Sequence, residues 1–252
     1  MISKTKPPKG SVTSFTLKAP QLHADKTIWV YLPFNYDKSD EHYPVLYMHD
    51  GQNVFDHAET HKREWHVEEK LNELHSEVIV VGIEHGGSTH RIDELTPYKN
   101  EDYGGGHADD YLDFMLNDLK PYIDENYRTY TEREHTTIFG SSVGGLISFY
   151  ALLKFPDVFG NAGVFSPSFW FSEEIYELIK SVDTIRGRIY FMAGDHESKN
   201  MIPDIDRMEK LVLERVTNKN QICKKIVHNG RHNEKSWRRE FADAYLWLEK
   251  GL

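Results

Sequence analysis

Cysteine is almost missing from this chain: Cys223 is the single one among 252 residues, so no disulfide can form within it. This lack is compatible with a reducing compartment. Long apolar runs are missing as well. No stretch of about 18 apolar residues occurs, which argues against a membrane-spanning helix. The basic N-terminal residues are not followed by an apolar run, so we expect no secretory signal and a cytoplasmic location.

Positive charge is also in short supply. Lysine and arginine number 30 against 40 aspartates and glutamates, which gives a formal net charge of −10. Because an acidic surface repels phosphate backbones and anionic lipids, we expect neither nucleic acid nor a membrane as a partner. The length suits one large α/β domain, and no linker or repeat interrupts it. We therefore expect a single domain over residues 1–252.

Short apolar, β-rich runs alternate with amphipathic stretches along the whole chain. Strands are predicted at Thr27–Leu32, Val45–Met48, Val78–Ile83, Thr136–Phe139, Ala162–Phe165, Arg188–Met192 and Ile222–Val227. Helices are predicted at Glu64–His75, Ala108–Tyr127, Val143–Lys154, Glu173–Val182, Pro203–Val216 and Glu234–Leu252. The alternation predicts an α/β fold with a mostly parallel sheet of about eight strands and helices on both faces. In such sheets active sites gather at the carboxyl ends of the strands.

The glycine-rich segment from Glu84 to His107 shows no clear period. A loop of that length inside a compact domain is more often functional than not. It leaves the carboxyl end of the predicted strand at Val78–Ile83, so we expect it to border the site.

The pentapeptide GSSVG at 140–144 matches the G-x-S-x-G pattern of a nucleophile elbow. It lies between a predicted strand and a predicted helix, which is the context that this pattern requires. Small neighbours are needed because a sharp turn crowds the backbone around the serine, and Gly140, Gly144 and Gly145 supply that room. The helix that follows directs free N–H groups at developing negative charge, so the N–H of Val143 is a candidate oxyanion donor. We predict Ser142 as a nucleophile, and its nearest rival is Ser141.

A serine nucleophile needs a histidine within hydrogen-bond reach and a carboxylate that orients the ring. For this kind of elbow the chain order is serine, acid, histidine. Of the histidines that follow Ser142, His232 lies between the last strand and the last helix, where the base belongs. The acid should follow the strand at Arg188–Met192, and both Asp195 and Glu197 occur there. The residues alone leave these two carboxylates as alternatives.

Six motifs follow one another in a characteristic order. They are YMHDGQNVFD at 47–56, Arg91 with Glu94, Thr96 and Pro97, FGSSVGG at 139–145, FSPSFW at 165–170, Gly194-x-x-Glu197, and His232-x-Glu234-x-x-Trp237. In this order they resemble the esterase family of α/β-hydrolases that takes in enterochelin esterase-like hydrolases, esterase D, and the feruloyl and acetylxylan esterases of carbohydrate esterase family one. The resemblance runs from roughly Thr27 to Leu248.

The resemblance implies the α/β-hydrolase fold and ester hydrolysis by a serine, with neither a cofactor nor a metal. It implies Ser142 as nucleophile, His232 as base and Glu197 as the orienting acid, because the family places the acid three residues past the glycine. It also implies a second oxyanion N–H from the turn at Gly51–Gln52.

Arg91 is a candidate substrate-binding residue. It is predicted either to hold a substrate carboxylate or to pair with Glu94, and the pairing is the favoured alternative. His49 and Asp50 are expected to brace a turn rather than to bind a metal, because two neighbouring ligands without a third make a poor metal site.

The substrate is expected to be an ester, held in part by Trp170 and Trp237, which either line an aromatic pocket or pack in the core. Acetyl or feruloyl esters of carbohydrates and small acyl esters are the first candidates. A siderophore trilactone is the alternative within hydrolases. Acyl transfer to an alcohol and a non-catalytic binding module on the same scaffold are alternatives of other classes.

Overall fold

The computed structural model describes residues 9–55 and 64–250. Within this part eight strands form one sheet in the order β1-β2-β4-β3-β5-β6-β7-β8. The strands are β1 (Ser11–Ala19), β2 (Ala24–Leu32), β3 (Val45–His49), β4 (Ile79–Ile83), β5 (Thr136–Ser141), β6 (Asn161–Phe165), β7 (Arg188–Gly194) and β8 (Ile222–Val227).

The α-helices lie between these strands along the chain, except for the last, which follows β8. They are α1 (Val67–Leu74), α2 (Ser88–Leu95), α3 (Ala108–Phe114), α4 (Lys120–Asn126), α5 (Val143–Lys154), α6 (Glu174–Ser181), α7 (Met201–Leu213) and α8 (Glu234–Glu249). A π-helical turn over Met115–Leu119 joins α3 to α4. No helix in the described ranges is both long enough and apolar enough to cross a bilayer.

The direction of the strands decides where loops gather. β1 pairs antiparallel with β2, and β2 pairs antiparallel with β4. All remaining neighbours, from β4 to β8, are parallel. The predicted mostly parallel sheet is therefore confirmed. The carboxyl ends of six strands meet at one edge, which is where the topology predicts chemistry.

The sequence-based prediction lacks two of the elements, β1 and α2. β1 was not predicted, because most of its side chains are exposed at the edge of the sheet and its apolar alternation is weak. α2 lies within the glycine-rich segment that was expected to be irregular. The helix predicted from Glu64 begins only at Val67, and the last two residues of the predicted C-terminal helix lie outside the described ranges.

The hydrophobic core covers both faces of the sheet. Successive residues of β5 point to opposite faces, so Ile138 packs in one cluster and Phe139 in the other. α5 is the central helix of one face, and almost every one of its residues is buried. A helix so enclosed gives a rigid support for whatever its N-terminus holds.

Candidate active site

Ser142 occupies the sharp turn between β5 and α5. Its backbone has φ 61° and ψ −123°, a region that a residue with a side chain rarely adopts. The Ser142 N–H donates to Phe165 O at 2.9 Å, and its carbonyl accepts from the Ser168 N–H at 3.1 Å. These bonds tie the turn to the loop after β6 and hold the strained conformation.

Two glycines make the turn possible. A Cβ on Gly140 would lie 2.7 Å from the backbone of Gly144, and a Cβ on Gly145 would lie 2.7 Å from Phe165 O. The expectation for Gly144 is wrong, because a Cβ there would meet its nearest atoms at 3.5 Å, an ordinary contact distance. The buried side of α5 that faces His49 and Asp50 leaves more space at Gly144 than the spacing pattern implies.

Three neighbouring strands end in the same way. Asp50 follows β3, Ser142 follows β5 and Ser166 follows β6. Each has a left-handed φ, of 59°, 61° and 42° respectively. None of the three is a glycine, so each of these conformations is costly. The strain is concentrated at the carboxyl edge of the sheet.

The Glu197 carboxylate and the His232 ring are joined by a short hydrogen bond. His232 Nδ1 donates to Glu197 Oε2 at 2.7 Å. The other oxygen, Oε1, accepts from Ser166 Oγ at 2.7 Å and from the Gly194 N–H at 2.6 Å. The Glu197 side chain is fully buried, whereas that of His232 is 40% exposed. This hydrogen bond fixes the orientation of the His232 ring. The other ring nitrogen, Nε2, is not bonded to Glu197.

Trp237 supports the Glu197–His232 pair. Its Nε1–H donates to Ser166 Oγ at 2.9 Å, so one hydroxyl links the indole to Glu197. The His232 ring also meets the Trp237 ring edge to face, with centroids 5.1 Å apart. Trp237 is buried and hydrogen-bonded, so the structure places it mainly in the support of the acid and only partly at a cavity wall.

Asp195, the other candidate acid, lies with different histidines. Its two oxygens accept from His196 Nδ1 at 2.5 Å and from His228 Nδ1 at 2.9 Å. The hydrogen bond from His196 is the largest of the influences that lower the pKa of Asp195. Because Asp195 has no hydrogen bond to His232 within the described residues, the geometry favours Glu197 as the orienting carboxylate.

The loops that carry Glu197 and His232 touch through their backbones. A Cβ on Gly194 would lie 2.2 Å from the backbone of Gly230. The His196 N–H donates to Gly230 O at 2.9 Å across the same contact. The glycine pair therefore permits the close approach that brings acid and histidine together.

Ser142 and His232 line the same two cavities, one of about 410 Å³ and one of about 310 Å³. The Ser142 hydroxyl lies 3.3 Å from Ser168 Oγ, and among the described residues this is its side-chain hydrogen-bond partner. Such hydroxyl-to-imidazole bonds are often long or absent before a substrate binds. Among the described residues, Ser142 Oγ makes no hydrogen bond to the His232 ring.

The expected oxyanion donors are Val143, at the start of α5, and the turn at Gly51–Gln52, after β3. Val143 is the first residue of α5, and its N–H has no backbone acceptor among the described residues. Gly51 packs so closely on β4 that a Cβ would lie 2.6 Å from the backbone of Gly82. The Gln52 side chain bonds the backbone of His85, at 3.3 Å in both directions. The second donor at Gly51–Gln52 stays a prediction.

Arg91 pairs with a different carboxylate from the one expected. Its Nε and Nη2 donate to Asp50 Oδ1 and Oδ2 at 2.6 and 2.8 Å, a bidentate ion pair. The preferred pairing with Glu94 is wrong, because Glu94 turns inward to Lys26, whose Nζ lies 2.6 Å from both of its oxygens. Positions three apart on α2 point to different neighbours, which sequence spacing did not reveal.

This ion pair lies at the wall of the smaller cavity. Burial acts to raise the pKa of Asp50, but the Arg91 guanidinium outweighs it and holds that pKa below its usual value. Behind it, burial lowers the pKa of His49 to about 4, so this ring is neutral and its Nδ1 bonds Tyr111 Oη at 2.9 Å. Asp50 and His49 brace the turn with these partners, as expected.

Trp170 is the second tryptophan singled out from the sequence. It lies at the wall of the larger cavity and is 48% exposed, unlike the buried Phe169 beside it. The side chains brought together there were not singled out by sequence reasoning. They are Ser168, Ser198, Asn200 and Met201.

Ser166 and Ser168 are the functional candidates that sequence reasoning missed. Both fall inside the FSPSFW motif, so the motif was the available signal. Their roles depend on hydrogen bonds to residues 31 and 26 positions away, which a sequence pattern does not show.

One group among the described residues has the spacing of metal ligands. His66 Nδ1 lies 3.0 Å from Glu64 Oε1 and 3.0 Å from Glu69 Oε1. These distances equally fit a histidine that is hydrogen-bonded to two carboxylates. None of the three residues lines either cavity at Ser142.

The sheet and its strained serine turn define an α/β-hydrolase. Residues 19–248 match the model of the family described as "Putative esterase", and the chain belongs to that family. It is accordingly a serine ester hydrolase, as the six ordered motifs predicted.

Relatives and solved structures agree with this assignment. YbbA of Bacillus subtilis, described as an uncharacterized protein, is 28% identical over 235 residues, which cover 87% of this chain and 90% of YbbA. A solved ferulic acid esterase superposes with a TM-score of 0.75 at 18% identity, over 97% of this chain and 99% of the other. The enterobactin esterase of Shigella flexneri superposes with a TM-score of 0.80 at 21% identity, over 95% of this chain and 59% of the esterase. At these identities the structural likeness shows the fold.

Proposed function

We propose that this protein hydrolyses carboxylic esters through an acyl-enzyme formed on Ser142. The observation that carries the proposal is the 2.7 Å bond from His232 to the buried Glu197, with the ring facing the same cavities as Ser142. A carboxylate on Nδ1 fixes the tautomer in which Nε2 is free to accept a proton.

The reaction proceeds in two halves. His232 Nε2 takes the proton as Ser142 Oγ attacks the ester carbonyl, and the oxyanion accepts hydrogen bonds from the Val143 N–H and the turn at Gly51–Gln52. His232 then gives the proton to the departing alcohol, which leaves the acyl group on Ser142. A water molecule, deprotonated by His232, attacks the acyl-enzyme. His232 then returns this proton to Ser142 Oγ as the bond from Oγ to the acyl carbon breaks and the acid leaves.

The walls of the two cavities support a substrate class. The larger one combines an exposed indole with hydroxyl and amide groups. A feruloyl or acetyl ester of a carbohydrate, or a small acyl ester, fits such a surface. The structurally similar ferulic acid esterase is named for one such ester. A siderophore trilactone is the competing substrate, because the similar enzyme from Shigella flexneri is named for enterobactin.

Replacement of the nucleophile tests the mechanism. We expect Ser142→Ala to lose turnover of p-nitrophenyl acetate by about 10³-fold or more and to lose labelling by a fluorophosphonate probe. Ser141→Ala, one residue earlier, should keep both the labelling and most of the turnover. If Ser142→Ala remained active, or if the probe labelled another serine, the proposal would be wrong.

The substrate is tested by a panel of esters. Methyl ferulate, acetylated xylo-oligosaccharides, p-nitrophenyl acyl esters and a siderophore trilactone are compared by kcat/KM. We expect the carbohydrate-type or simple esters to exceed the trilactone. The reverse order would assign the siderophore as substrate and reject the carbohydrate ester.

A further inference from the structure

The two cavities at Ser142 differ in the charge of their walls. The described residues that line the larger cavity include no carboxylate, lysine or arginine. The smaller cavity is bordered by two carboxylates, those of Asp50 and Glu234, and by one guanidinium, that of Arg91. Arg91 donates two hydrogen bonds to Asp50, so these two charges balance each other. The carboxylate of Glu234 therefore gives the wall of the smaller cavity a net negative charge.

His85 lies at the wall of the same cavity, two residues after the end of β4. Its backbone N–H and carbonyl are both bonded to the Gln52 side-chain amide, at 3.3 Å. Its ring Nδ1 accepts a hydrogen bond from the Gly87 N–H at 3.1 Å. A neutral imidazole has one acceptor nitrogen and one donor nitrogen. Because Nδ1 is the acceptor, the ring proton of His85 is on Nε2.

The donor nitrogen of His85 faces the cavity without a hydrogen-bond acceptor among the described residues. Nε2 lies 3.9 Å from Asp50 Oδ1, which is too far for a hydrogen bond, and both oxygens of Asp50 already accept from Arg91. Burial lowers the pKa of His85, so the ring is uncharged at neutral pH. His85 therefore offers a neutral donor to a molecule in the cavity that Ser142 also lines.

We propose that His85 and Glu234 select the half of the ester that lies in the smaller cavity, accepting an uncharged polar group and rejecting a carboxylate. This inference rests on the proposed function, since it concerns the substrate of Ser142. The His85 Nε2–H donates to an oxygen of the polar group, and Glu234 accepts from its hydroxyl. A carboxylate on the substrate is repelled by Glu234, because like charges brought together lower affinity.

The proposal predicts different effects for two substitutions of His85. Asparagine can present an oxygen near the position of Nδ1, so His85→Asn keeps an acceptor for the Gly87 N–H and loses the donor. Glutamine reaches further, so His85→Gln keeps an N–H near the position of Nε2. Loss of one neutral hydrogen bond predicts that kcat/KM for a hydroxyl-bearing ester falls about 2- to 12-fold in His85→Asn, with His85→Gln close to wild type. If the ring only held its own loop, the order would be reversed.

Two sets of three esters test the selection, one set for each half of the substrate. For the alcohol half, 2-hydroxyethyl acetate is compared with acetoxyacetate, which ends in a carboxylate, and propyl acetate, which ends in a methyl group. For the acyl half, methyl 3-hydroxypropanoate is compared with monomethyl malonate and methyl butanoate. The variants are His85→Asn, His85→Gln and Glu234→Gln. The controls are His107→Asn and Glu125→Gln, at exposed positions that line neither cavity.

In one of the two sets we expect the wild type to prefer the hydroxyl ester to the carboxylate ester by about 10-fold or more in kcat/KM. Glu234→Gln should reduce this preference by about 5-fold or more, because kcat/KM for the carboxylate ester rises. His85→Asn should lower kcat/KM for the hydroxyl ester and leave the methyl-ended ester unchanged. Equal changes for all esters of a set, or no change in either variant, overturn the inference while ester hydrolysis itself stands.

If the wild type hydrolysed none of the six esters, the proposed function would be in question instead. NMR titration of Ser142→Ala with the same esters then decides the inference by itself. His85→Asn added to this variant must weaken the binding of a hydroxyl ester, and Glu234→Gln added to it must strengthen the binding of the matching carboxylate ester. Unchanged binding in both rejects the inference.

Discussion

The surroundings of Glu197 distinguish it from Asp195, the other candidate acid. Its carboxylate is completely buried, yet it accepts three hydrogen bonds, from His232, Ser166 and the Gly194 N–H. A buried carboxylate is tolerated only when its oxygens are satisfied in this way. The side chain of the nearby Asp195 is 28% exposed, and it lacks this buried environment.

Replacement of this carboxylate by an amide should cost activity without loss of fold. In Glu197→Gln the side chain keeps its size, but it no longer stabilises the charged imidazole or selects the tautomer of His232. We expect kcat to fall by roughly 10²- to 10⁴-fold with KM nearly unchanged. Asp195→Asn is the matched control and should keep wild-type kcat. Equal losses in the two variants would contradict the assignment of the acid.

Trp237 offers a finer test of the same network. In Trp237→Phe the aromatic packing is largely kept, but Ser166 Oγ loses the donor at 2.9 Å and is freer to turn away from Glu197. The loss of one hydrogen bond of about 0.5–1.5 kcal/mol predicts a fall in kcat of roughly 2- to 12-fold. Trp247→Phe, on the same helix but against Arg188, is the control.

The measurements on Trp237→Phe must distinguish a positioning role of Trp237 from a role in packing alone. A positioning role changes kcat and the pH profile of kcat/KM, because it acts through the base. A packing role would instead lower the free energy of unfolding in urea and leave kcat alone. The second result would remove Trp237 from the site.

At the scale of elements, the turn after β3 depends on α2. Arg91 of α2 reaches Asp50 with two hydrogen bonds, and a third, weaker contact of 3.4 Å joins it to Ser141 O. This single side chain therefore connects the turn at Gly51–Gln52 to the end of β5. Both ends of the predicted oxyanion site depend on it.

Removal of the guanidinium should be costly for that reason. In Arg91→Met the Asp50 carboxylate stays largely buried without its partner, and we expect a loss of about 2–4 kcal/mol in the free energy of unfolding. We also expect kcat to fall, because the turn is no longer held. Arg186→Met removes an exposed pair with Asp157 and should cost about 1 kcal/mol or less. Urea titration of both variants measures the difference.

The sequence predicts some strands and helices better than others. Buried strands such as β4 and the enclosed α5 carry continuous apolar runs, so their sequences are unambiguous. β1 and α2 are short or exposed and owe their form to contacts with the rest of the chain. For the same reason the partner of Arg91 was predicted wrongly: Asp50 lies 41 positions away, and only the folded sheet brings the two together.

At the scale of the whole molecule, the buried His49 connects pH to stability. Its pKa is lowered by burial from 6.5 to about 4. The unfolded chain therefore binds a proton at this position more readily than the folded one. Stability from this group is complete above about pH 6.5 and is lost as the pH falls towards 4.

We expect this one histidine to remove about 2 kcal/mol of folding free energy between pH 6.5 and 5. His49→Gln, which retains a hydrogen-bonding group near Tyr111, should lower the dependence of unfolding free energy on pH by that amount. The exposed His42→Gln is the control and should leave the dependence as it is. An unchanged slope in His49→Gln would show that the ring is not held neutral.

The residues of the candidate site could be predicted from the sequence to different degrees. Ser142 could be predicted as the nucleophile from local spacing, because its turn is made by adjacent glycines. The choice between Asp195 and Glu197 required a family resemblance, since both follow β7 at nearly the same place. Two features of the site arise only when loops from separate strands meet. They are the hydrogen bond from Ser166 to Glu197 and the close approach of Gly194 to Gly230.

The left-handed backbone of Ser142 has an evolutionary consequence. Ser142 holds a conformation that glycine would adopt at lower cost, on the order of 1 kcal/mol or more. At Asp50 and Ser166 the same exchange would remove the partner of Arg91 and a hydrogen-bond donor to Glu197, so glycine brings no such gain there. A descendant released from the need to turn over esters would gain stability by accepting glycine at position 142, and that position therefore distinguishes lineages in which selection still maintains catalysis from lineages that keep only the scaffold.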